Sequence, residues 1–173
     1  TIEHAQLLRR YANRVVVAGN LKYDGVDAAL PDPAARAEKR RALGLRADDL
    51  LLIGGSTHPT EEAALLRAYA ALRREHPRLR LLLAPRHPER FTPVAAEIAA
   101  AGFACARLSA PSAGAAEPPV LLGDVMGELG AWYRAADVAF VGGSLIPHGG
   151  QNMLEPAGAG LPVLFGPHTH NFT

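Results

Sequence analysis

Residues 50–84 read LLLIGGSTHPTEEAALLRAYAALRREHPRLRLLLA, and this stretch decides the fold. Two apolar runs, at 50–54 and 79–84, flank a segment whose leucines and tyrosine recur at three- and four-residue spacing. That spacing predicts an amphipathic helix over 60–76, which Pro77 ends. Apart from Arg80, both flanking runs are continuously apolar, as strands buried on both faces are. The stretch therefore predicts a strand, a helix and a second strand parallel to the first.

The same alternation continues through the rest of the chain. Further strands are predicted at 15–18, 103–108, 119–122, 138–141 and 162–165. Weaker helical patterns cover 34–43, 92–101, 127–135 and 153–159. Strands that alternate with helices form right-handed βαβ units, so we expect an α/β fold, a Rossmann-like parallel sheet with helices on both faces.

Both ends of the sequence look incomplete for such a fold. A lone helical pattern at 1–12 has no strand before it, and Thr173 comes directly after a strand-end loop. We therefore expect a piece of a longer protein, in which residues 1–14 are a helix left from an inter-domain connection. Residues 15–173 are then one Rossmann-like domain, truncated at its C-terminus. The segment 109–118 is rich in Pro, Ser, Ala and Gly, which predicts a loop between strands and not a domain linker.

Composition excludes several classes of protein. The 173 residues are 49% hydrophobic and 20% charged, which is not the composition of a disordered tail, a coiled coil or a collagen-like fibre. A formal net charge of +1 gives no bulk electrostatic reason to expect nucleic-acid or membrane-surface binding. The single cysteine, Cys105, cannot form an internal disulfide. With no apolar run near the ~18 residues of a membrane span and no secretory signal, we expect a soluble, intracellular polypeptide.

Polar and glycine-rich clusters follow the predicted strands, where parallel sheets bind their ligands. They lie at 54–58, 85–87, 123–124, 142–144 and 166–168. The carboxyl ends of parallel strands share one edge of a sheet. These loops are therefore expected to form one ligand-binding rim.

The loop at 54–62 (GGSTHPTEE) leads from a strand into a helix. Its glycines let the backbone approach a ligand, and Ser56, Thr57 and His58 with the free N–H groups of a helix start can bind an anion. A helix N-cap formed by Ser or Thr explains the same residues without any ligand. Both interpretations stay open.

The segment at 142–155 (GGSLIPHGGQNMLE) is more informative. Gly143 and Ser144 precede a helix start, and Asn152 and Glu155 share one face of its first turn. A carboxylate there is suited to the vicinal hydroxyls of a ribose, the role of acidic residues in dinucleotide folds. The alternative is a capping box in which Glu155 reaches back to the Asn152 backbone, and it stays open.

Two further loops contain candidate ligand groups. At 85–91 (PRHPERF), Arg86 directly follows a buried strand, and a guanidinium binds phosphate or carboxylate through a fixed fork of donors. At 124–129 (DVMGEL), exposed backbone could contact the edge of a base beside Met126. The alternatives are a solvated arginine, and a Met126 that fills the core beside a Glu128 that favours the helix dipole.

Seven histidines invite a metal hypothesis, above all His168 and His170. The cysteine ligands and close histidine spacing of known zinc sites are missing, so no metal is expected. No Ser-His-Asp triad can be assembled from the pattern either.

Five segments, in their order and spacing, resemble the C-terminal half of the 3-deoxy-D-manno-octulosonic acid (Kdo) transferase family. They are 17–24 (VAGNLKYD), 56–62 (STHPTEE), 85–91 (PRHPERF), 123–129 (GDVMGEL) and 136–172, which contains GGS, NMLE and GPHTHNF. Together they span nearly the whole chain. The resemblance implies one half of a GT-B fold. It also implies an inverting glycosyltransferase of Gram-negative bacteria that moves Kdo from CMP-Kdo onto a lipid A precursor.

The resemblance also implies a role for particular residues. Lys22, one of only two lysines, matches a lysine thought to stabilise the transition state. The family's CMP site falls on three segments, in which Arg86 and the helix start near Asn152 would face the phosphate, Glu155 the ribose and the 126–128 backbone the cytosine. The full set of expected donor-binding residues is Ser56, Thr57, His58, Pro85, Arg86, His87, Met126, Gly127, Glu128, Gly143, Ser144, Asn152, Met153, Leu154 and Glu155.

Other expectations concern partners and place. The nucleotide sugar CMP-Kdo is the expected substrate and CMP the product, with no cofactor and no metal. The lipid A acceptor, the membrane contact and the general base are expected in an N-terminal half, so this stretch alone should bind donor without transferring sugar. The whole enzyme is expected at the cytoplasmic face of the inner membrane.

Two alternative functions remain open from the sequence. One is the UDP-sugar-binding half of another GT-B glycosyltransferase, since the acidic contact to ribose is shared within that fold. The other is a non-catalytic interaction module whose glycine loops only turn corners.

Overall fold

A computed structural model describes residues 2–16, 32–110 and 119–172 of the chain. In that part the helices are α1 (Ile2–Leu8), α2 (Pro33–Ala42), α3 (Glu61–Glu75), α4 (Phe91–Ala100), α5 (Leu129–Ala135) and α6 (Leu154–Gly158). The strands are β1 (Leu50–Thr57), β2 (Leu79–Pro85), β3 (Cys105–Arg107), β4 (Val120–Leu122), β5 (Val138–Val141) and β6 (Val163–Leu164). Two short 3-10 helices lie at Pro88–Arg90 and His170–Phe172.

The strands form one parallel sheet in the order β3-β4-β2-β1-β5-β6. Its centre is the long pairing of β1 with β2, which runs from Leu50 opposite Leu79 to Gly55 opposite Ala84. On its other side β1 pairs with β5, from Leu52 opposite Val138. The predicted Rossmann-like parallel sheet is confirmed.

Helices cover both faces of this sheet, as predicted. On one face, Leu65 and Tyr69 of α3 and Ile98 of α4 pack against strand residues that include Leu81. On the other face, Trp132 and Tyr133 of α5 pack against the neighbouring residues of the same strands, such as Ile53 and Leu82. Alternate residues of the central strands therefore enter opposite cores, which is why their sequences are apolar almost throughout.

Most predicted elements are confirmed within a few residues, and the differences have local causes. Predicted strand 50–54 continues to Thr57, because Gly54 and Gly55 keep pairing with β2 while leaving room for helix side chains above them. The edge strands β3 and β6 are shorter than predicted because each pairs with one neighbour only. Predicted helices 60–76 and 127–135 begin later, since Thr60 (φ 80°) and Gly127 (φ 84°) have left-handed backbone.

The first predicted elements of the chain fared less well. The predicted helix at 1–12 ends at Leu8, and turns follow it. For the predicted strand at 15–18, the structure places Val15 and Val16 outside any strand, and residues 17–18 lie outside the described residues. An apolar run alone does not show whether a segment pairs with a sheet, and Val15 and Val16 are apolar without forming a strand.

At the amino end of the sheet, partly buried ion pairs fasten α2 to the strands. Asp137, just before β5, accepts hydrogen bonds from Arg36 (2.6 Å), Arg40 (3.0 Å) and the Leu51 amide (2.8 Å). Arg40 is 7% exposed and also donates to the carbonyl oxygen of Ala135. These arginines bind the protein's own acidic and carbonyl groups, so they do not form a solvated cationic face.

At the carboxyl end of the sheet, the order of the strands creates a crevice between β1 and β5. The chain leaves β1 towards β2 on one side and returns to β5 on the other, and a wound sheet binds ligands at such a switch point. Gly142, at the end of β5, lies so close to β1 that a Cβ there would overlap the Ser56 carbonyl oxygen and lie 2.6 Å from Thr57 Cα. Within the described residues, no helix is long and apolar enough to cross a membrane.

We predict that Gly142→Ala destabilises the protein by about 3 kcal/mol, because backbone at the β1–β5 junction cannot move aside as a flexible side chain can. Gly44→Ala is the matched control. Gly44 has φ 69° and nothing within 4 Å of a built Cβ, so this change costs only the conformational strain of about 1 kcal/mol. Urea denaturation of both variants measures the difference. Equal losses would contradict the close approach.

Candidate functional site

Loops that follow three neighbouring strands meet at the carboxyl edge of the sheet. The ring of His58, after β1, lies 5.5 Å from the ring of His87, after β2, and 4.4 Å from the ring of His148, after β5. The Arg86 amide donates to the carbonyl oxygen of Thr57 over 3.0 Å. The structure thus brings together the three predicted segments at 56–58, 85–87 and 142–155.

A buried carboxylate joins two of these loops. Glu61 is fully buried at the start of α3, and each of its oxygens accepts two backbone N–H groups. The amides of His58 (2.9 Å) and Gly143 (2.8 Å) donate to Oε2, and those of Ser144 and Leu145 (3.0 Å each) donate to Oε1. One side chain therefore holds the loops after β1 and β5 in a fixed relative position.

This arrangement changes the expected role of Gly143 and Ser144. Their amides were expected to face a ligand, but in the structure they donate to Glu61. The hydroxyl of Ser144 is also engaged, since it donates to the Val141 carbonyl and accepts from the Gly166 amide. These residues shape the crevice, and their described donors are occupied within the chain.

The simple N-cap interpretation of the loop after β1 is wrong. The N-cap of α3 is Thr60, in left-handed conformation and without a side-chain cap hydrogen bond. Ser56 also has positive φ (51°), at a bulge where β1 leaves its register with β2. Two non-glycine residues with positive φ in one loop are a strained arrangement of the kind that clusters at functional sites.

The neighbouring acid, Glu62, anchors the same loop from inside. It is fully buried, accepts from the Thr57 hydroxyl (3.0 Å) and forms an ion pair with Arg90 (3.3 Å). Burial raises the pKa of Glu62 above its ordinary value, although its hydrogen bonds and Arg90 act in the opposite direction. Predicted residue Thr57 is therefore a structural link, since its hydroxyl points to Glu62.

His58 is a buried imidazole in a cationic environment. Burial lowers the pKa of His58, and His148, His87 and Arg86 lower it further, while Glu61 acts in the opposite direction. The side-chain amide of Gln151 lies 2.9 Å from Nε2 of His58. These effects favour the neutral form of His58 in the free protein.

Arg86 occupies the position that a ligand-binding cation needs. Pro85 before it is buried at the end of β2, whereas Arg86 itself is exposed on the rim. Among the described residues, its guanidinium has no hydrogen-bond or ion-pair partner. His87 is half exposed, with Nδ1 3.9 Å from Glu89.

The loop after β4 carries the predicted base-binding backbone. Asp124 anchors it, because this buried carboxylate accepts from Arg107 (2.7 Å) and from the hydroxyl (2.6 Å) and amide (2.8 Å) of Ser109. Burial raises the pKa of Asp124, but these hydrogen bonds outweigh it and hold the pKa below its ordinary value of 3.8. Met126 is 56% exposed, so it does not fill the core.

Glu128 at the end of this loop binds within the chain. Its carboxylate forms a 2.6 Å ion pair with Lys39 of α2, and its residue is the N-cap of α5. The side chain of Glu128 therefore ties α2 to α5.

Glu155 is directed at the same end of α5. A Cβ at Gly130, in the first turn of α5, would lie 2.7 Å from Glu155 Oε1. Burial raises the pKa of Tyr133 strongly, and the charge of Glu155 adds to this effect. Glu155 and the predicted 126–128 backbone are thus brought to one helix start, as a shared nucleoside site requires.

The capping-box alternative for Glu155 is not what the structure contains. Asn152 is exposed, and its side-chain oxygen accepts the Leu154 amide over 3.1 Å. α6 begins at Leu154 with Met153 as its N-cap and no side-chain cap bond. The carboxylate of Glu155 instead lies over α5.

Two further predictions concern a catalytic lysine and a metal site. Lys22 lies outside the described residues, and so does the whole segment at 17–24. In the described part of the chain, no group of three or more His, Cys, Asp or Glu side chains is arranged to hold a metal ion.

Sequence analysis missed the residues that organise the rim. Glu61 was visible only as an acid in a first helical turn, a position that acidic residues favour for the dipole alone. Tyr133, His148 and Gln151 carried no local signal. A buried tyrosine above Gly55 and a glutamine against His58 depend on contacts between loops far apart in the chain.

Two curated relatives from different bacteria carry the same name. The chain is 45% identical over 97% of its length to the 3-deoxy-D-manno-octulosonic acid transferase of Bordetella pertussis. It is 39% identical over 95% of its length to the protein of that name from Haemophilus influenzae. It spans 39% of the length of each of these curated relatives. No family model matches the chain.

A solved structure with a similar fold has a more specific description. The crystal structure of the C-terminal CMP-Kdo binding domain of WaaA from Acinetobacter baumannii superimposes with a TM-score of 0.73 at 36% sequence identity. The match covers 80% of this chain and 72% of that domain.

We predict that Glu61→Gln lowers the free energy of unfolding by about 3 kcal/mol, because its amide group would face two of the four backbone donors. Glu62→Gln is the matched control. It keeps an acceptor for Thr57 and loses only the charge facing Arg90, so we expect about 1 kcal/mol. Chemical denaturation at pH 7 measures both variants. Equal stability of the two would contradict the joining role of Glu61.

We predict that Asp124→Asn lowers stability by about 2 kcal/mol at pH 7 and by less at pH 3. The folded-state pKa of Asp124 lies below its ordinary value, so its stabilisation is present above pH 3.8 and is lost as pH falls through the folded pKa. Asp48→Asn is the control, since Asp48 is an exposed partner of Arg78 and should change stability by about 0–1 kcal/mol. Thermal melts across this pH range provide the measurement, and a difference that grows with acid would contradict it.

Proposed function

This chain belongs to the 3-deoxy-D-manno-octulosonic acid transferase family, and we propose that it is a donor-binding domain that takes the nucleotide sugar CMP-Kdo. The observation that carries the proposal is the match to the CMP-Kdo binding domain of the Acinetobacter protein, which covers most of both chains. A shared fold alone does not fix a ligand, so the site must also fit.

Three features of the rim support nucleotide binding. Glu155 lies against the first turn of α5, the helix that the 126–128 backbone leads into, so an acid and a stretch of backbone are available for a ribose and a pyrimidine edge. Arg86 stands at the end of β2 with its guanidinium exposed. The crevice of the β1–β5 switch point, the usual ligand position of this fold, opens at the same carboxyl edge of the sheet. In the proposal, Glu155 binds the ribose, the loop after β4 contacts the cytosine and Arg86 binds the phosphate.

The same geometry suits the chemistry of sugar transfer. In the proposed reaction, the bond from the anomeric carbon of Kdo to the phosphate oxygen breaks, and a bond to the acceptor hydroxyl forms with inversion. Negative charge grows on the departing phosphate, so a preorganised cation contributes most at that point. Arg86 is proposed to supply this charge together with Lys22, without a metal ion.

The proposal assigns other tasks to the rest of a longer protein. The curated relatives are more than twice as long as the stretch that matches this chain. We propose that such additional sequence supplies the general base and the site for a lipid A precursor, and that the whole enzyme works at the cytoplasmic face of the inner membrane.

Calorimetric titration with CMP and with UMP tests the choice of nucleotide. The proposal expects CMP to bind more tightly than UMP. A preference for UMP would favour a UDP-sugar domain, and no binding of either nucleotide would favour an interaction module.

We predict that Glu155→Gln weakens CMP binding by about 1.5–3 kcal/mol, or about 10- to 150-fold in Kd, through loss of the charged acceptor for ribose hydroxyls. Glu75→Gln is the control. Glu75 is an exposed acid at the end of α3 far from the rim, so its change should leave the Kd for CMP unchanged. Titration calorimetry gives the affinities, and thermal melts report folding. A Glu155→Gln variant with unaltered affinity would remove Glu155 from the ribose site.

A further inference from the structure

Three histidines at the rim form a cluster to which the proposed nucleotide contacts assign no part of the ligand. His58, His87 and His148 come from the loops after β1, β2 and β5. The His58 ring lies 5.5 Å from the His87 ring and 4.4 Å from the His148 ring. Arg86 is next to His87 in sequence and acts electrostatically on His58. The cluster thus brings imidazole rings from three loops close together, next to an exposed arginine.

We propose that this histidine cluster, beside the Arg86 that faces the phosphate, binds the carboxylate of the donor sugar. The inference rests on the proposed function, because it names the part of the donor that the cluster recognises. An ulosonic acid donor carries two anionic groups on its anomeric carbon, the phosphate that leaves with CMP and the carboxylate that stays. An arginine that forms a bidentate pair with the phosphate leaves the carboxylate to other donors.

The hydrogen bond from Gln151 shows which proton the cluster holds in the free protein. An amide nitrogen can only donate, so Nε2 of His58 accepts at 2.9 Å and the ring proton of this neutral histidine lies on Nδ1. His58 is 6% exposed, whereas His87 and His148 are exposed. The two outer rings are therefore accessible to a ligand, and His58 supports them from behind.

The charges around the cluster favour an anion. The charged and titratable groups that act on His58 are His148, His87, Arg86 and Glu61. Glu61 is the one acid among them, and both of its oxygens already accept two amide N–H groups. Glu89, 3.9 Å from His87, is largely exposed, with 76% of its side chain accessible. An incoming carboxylate thus meets imidazole and guanidinium donors, and the acid beside His87 is exposed to solvent.

Binding should therefore take up protons. A carboxylate held against an imidazole favours the charged form of the ring. The phosphodiester and carboxylate of CMP-Kdo are both fully ionised near neutral pH, so any proton taken up must come to rest on the protein. Because the bound state holds more protons than the free state, affinity should increase as pH falls from 8 to 6.

Titration calorimetry of the 173-residue chain tests the proposal with two ligands. CMP-Kdo carries both anions, whereas the methyl ester of CMP is a phosphodiester without a carboxylate. Each ligand is titrated at pH 6 and pH 8, in two buffers that differ in their heat of ionisation, so that proton uptake is counted directly. We expect uptake and tighter binding at pH 6 with CMP-Kdo, and much less of both with the methyl ester.

Variants of the outer rings separate the carboxylate from the phosphate. His148→Gln and His87→Gln should each weaken CMP-Kdo about tenfold at pH 6, reduce the proton uptake and change methyl-ester binding less than about twofold. His76→Gln is the matched control, an exposed histidine at the far end of α3. Because the rings of His87 and His148 are exposed, we expect these variants to fold.

Each other result has a definite meaning. Equal losses for both ligands would assign the cluster to the phosphate and overturn the proposal, as would variants that bind both ligands normally. If the unchanged chain binds the methyl ester but gains nothing from the sugar acid, the inference fails while the proposed nucleotide site stands. Binding of neither ligand to the unchanged chain would overturn the proposed function and the inference with it.

Discussion

The carboxylate of Glu61 holds the carboxyl edge of the sheet together. It is fully buried, and it accepts four backbone N–H groups from the loops after β1 and β5. A buried charge is costly unless it is fully hydrogen-bonded, and these amides supply the compensation. The positive φ of Ser56 and Thr60 persists because the residues around them are fixed in this way.

The carboxyl edge of the sheet also depends on a close approach between the backbones of β5 and β1. Gly142 brings the end of β5 against Ser56 and Thr57, and the amides of residues 143–145 then point at Glu61. The loop after β5 continues to His148 and Gln151, which contact His58. The close junction between β1 and β5 thus positions the imidazole rings at the rim. A substitution of Glu61 would therefore also shift these rings.

The nucleotide side of the rim depends on different contacts. Asp124 fixes the loop after β4, and Glu155 faces the first turn of α5. Arg86 and the segment at 126–128 had been expected to share a ligand, and the pairing of β2 with β4 explains how residues 40 apart follow adjacent strands. The sequence pattern identified these segments because glycine and polar residues after apolar runs are a local signal. The pattern did not identify the acids that hold these loops in place, because their hydrogen bonds depend on which groups are buried beside them in the folded chain.

Local hydrophobic pattern determined the order of strands and helices, because a strand buried on both faces and an amphipathic helix each have a period readable within ten or fifteen residues. The sequence also identified the family, through motifs that keep their order and spacing along the chain. Only the tertiary structure decided that Glu61 binds backbone while Glu155 faces α5, although both are acids in a first helical turn. The reason is that burial and hydrogen-bond partners come from strands and loops that are distant in sequence.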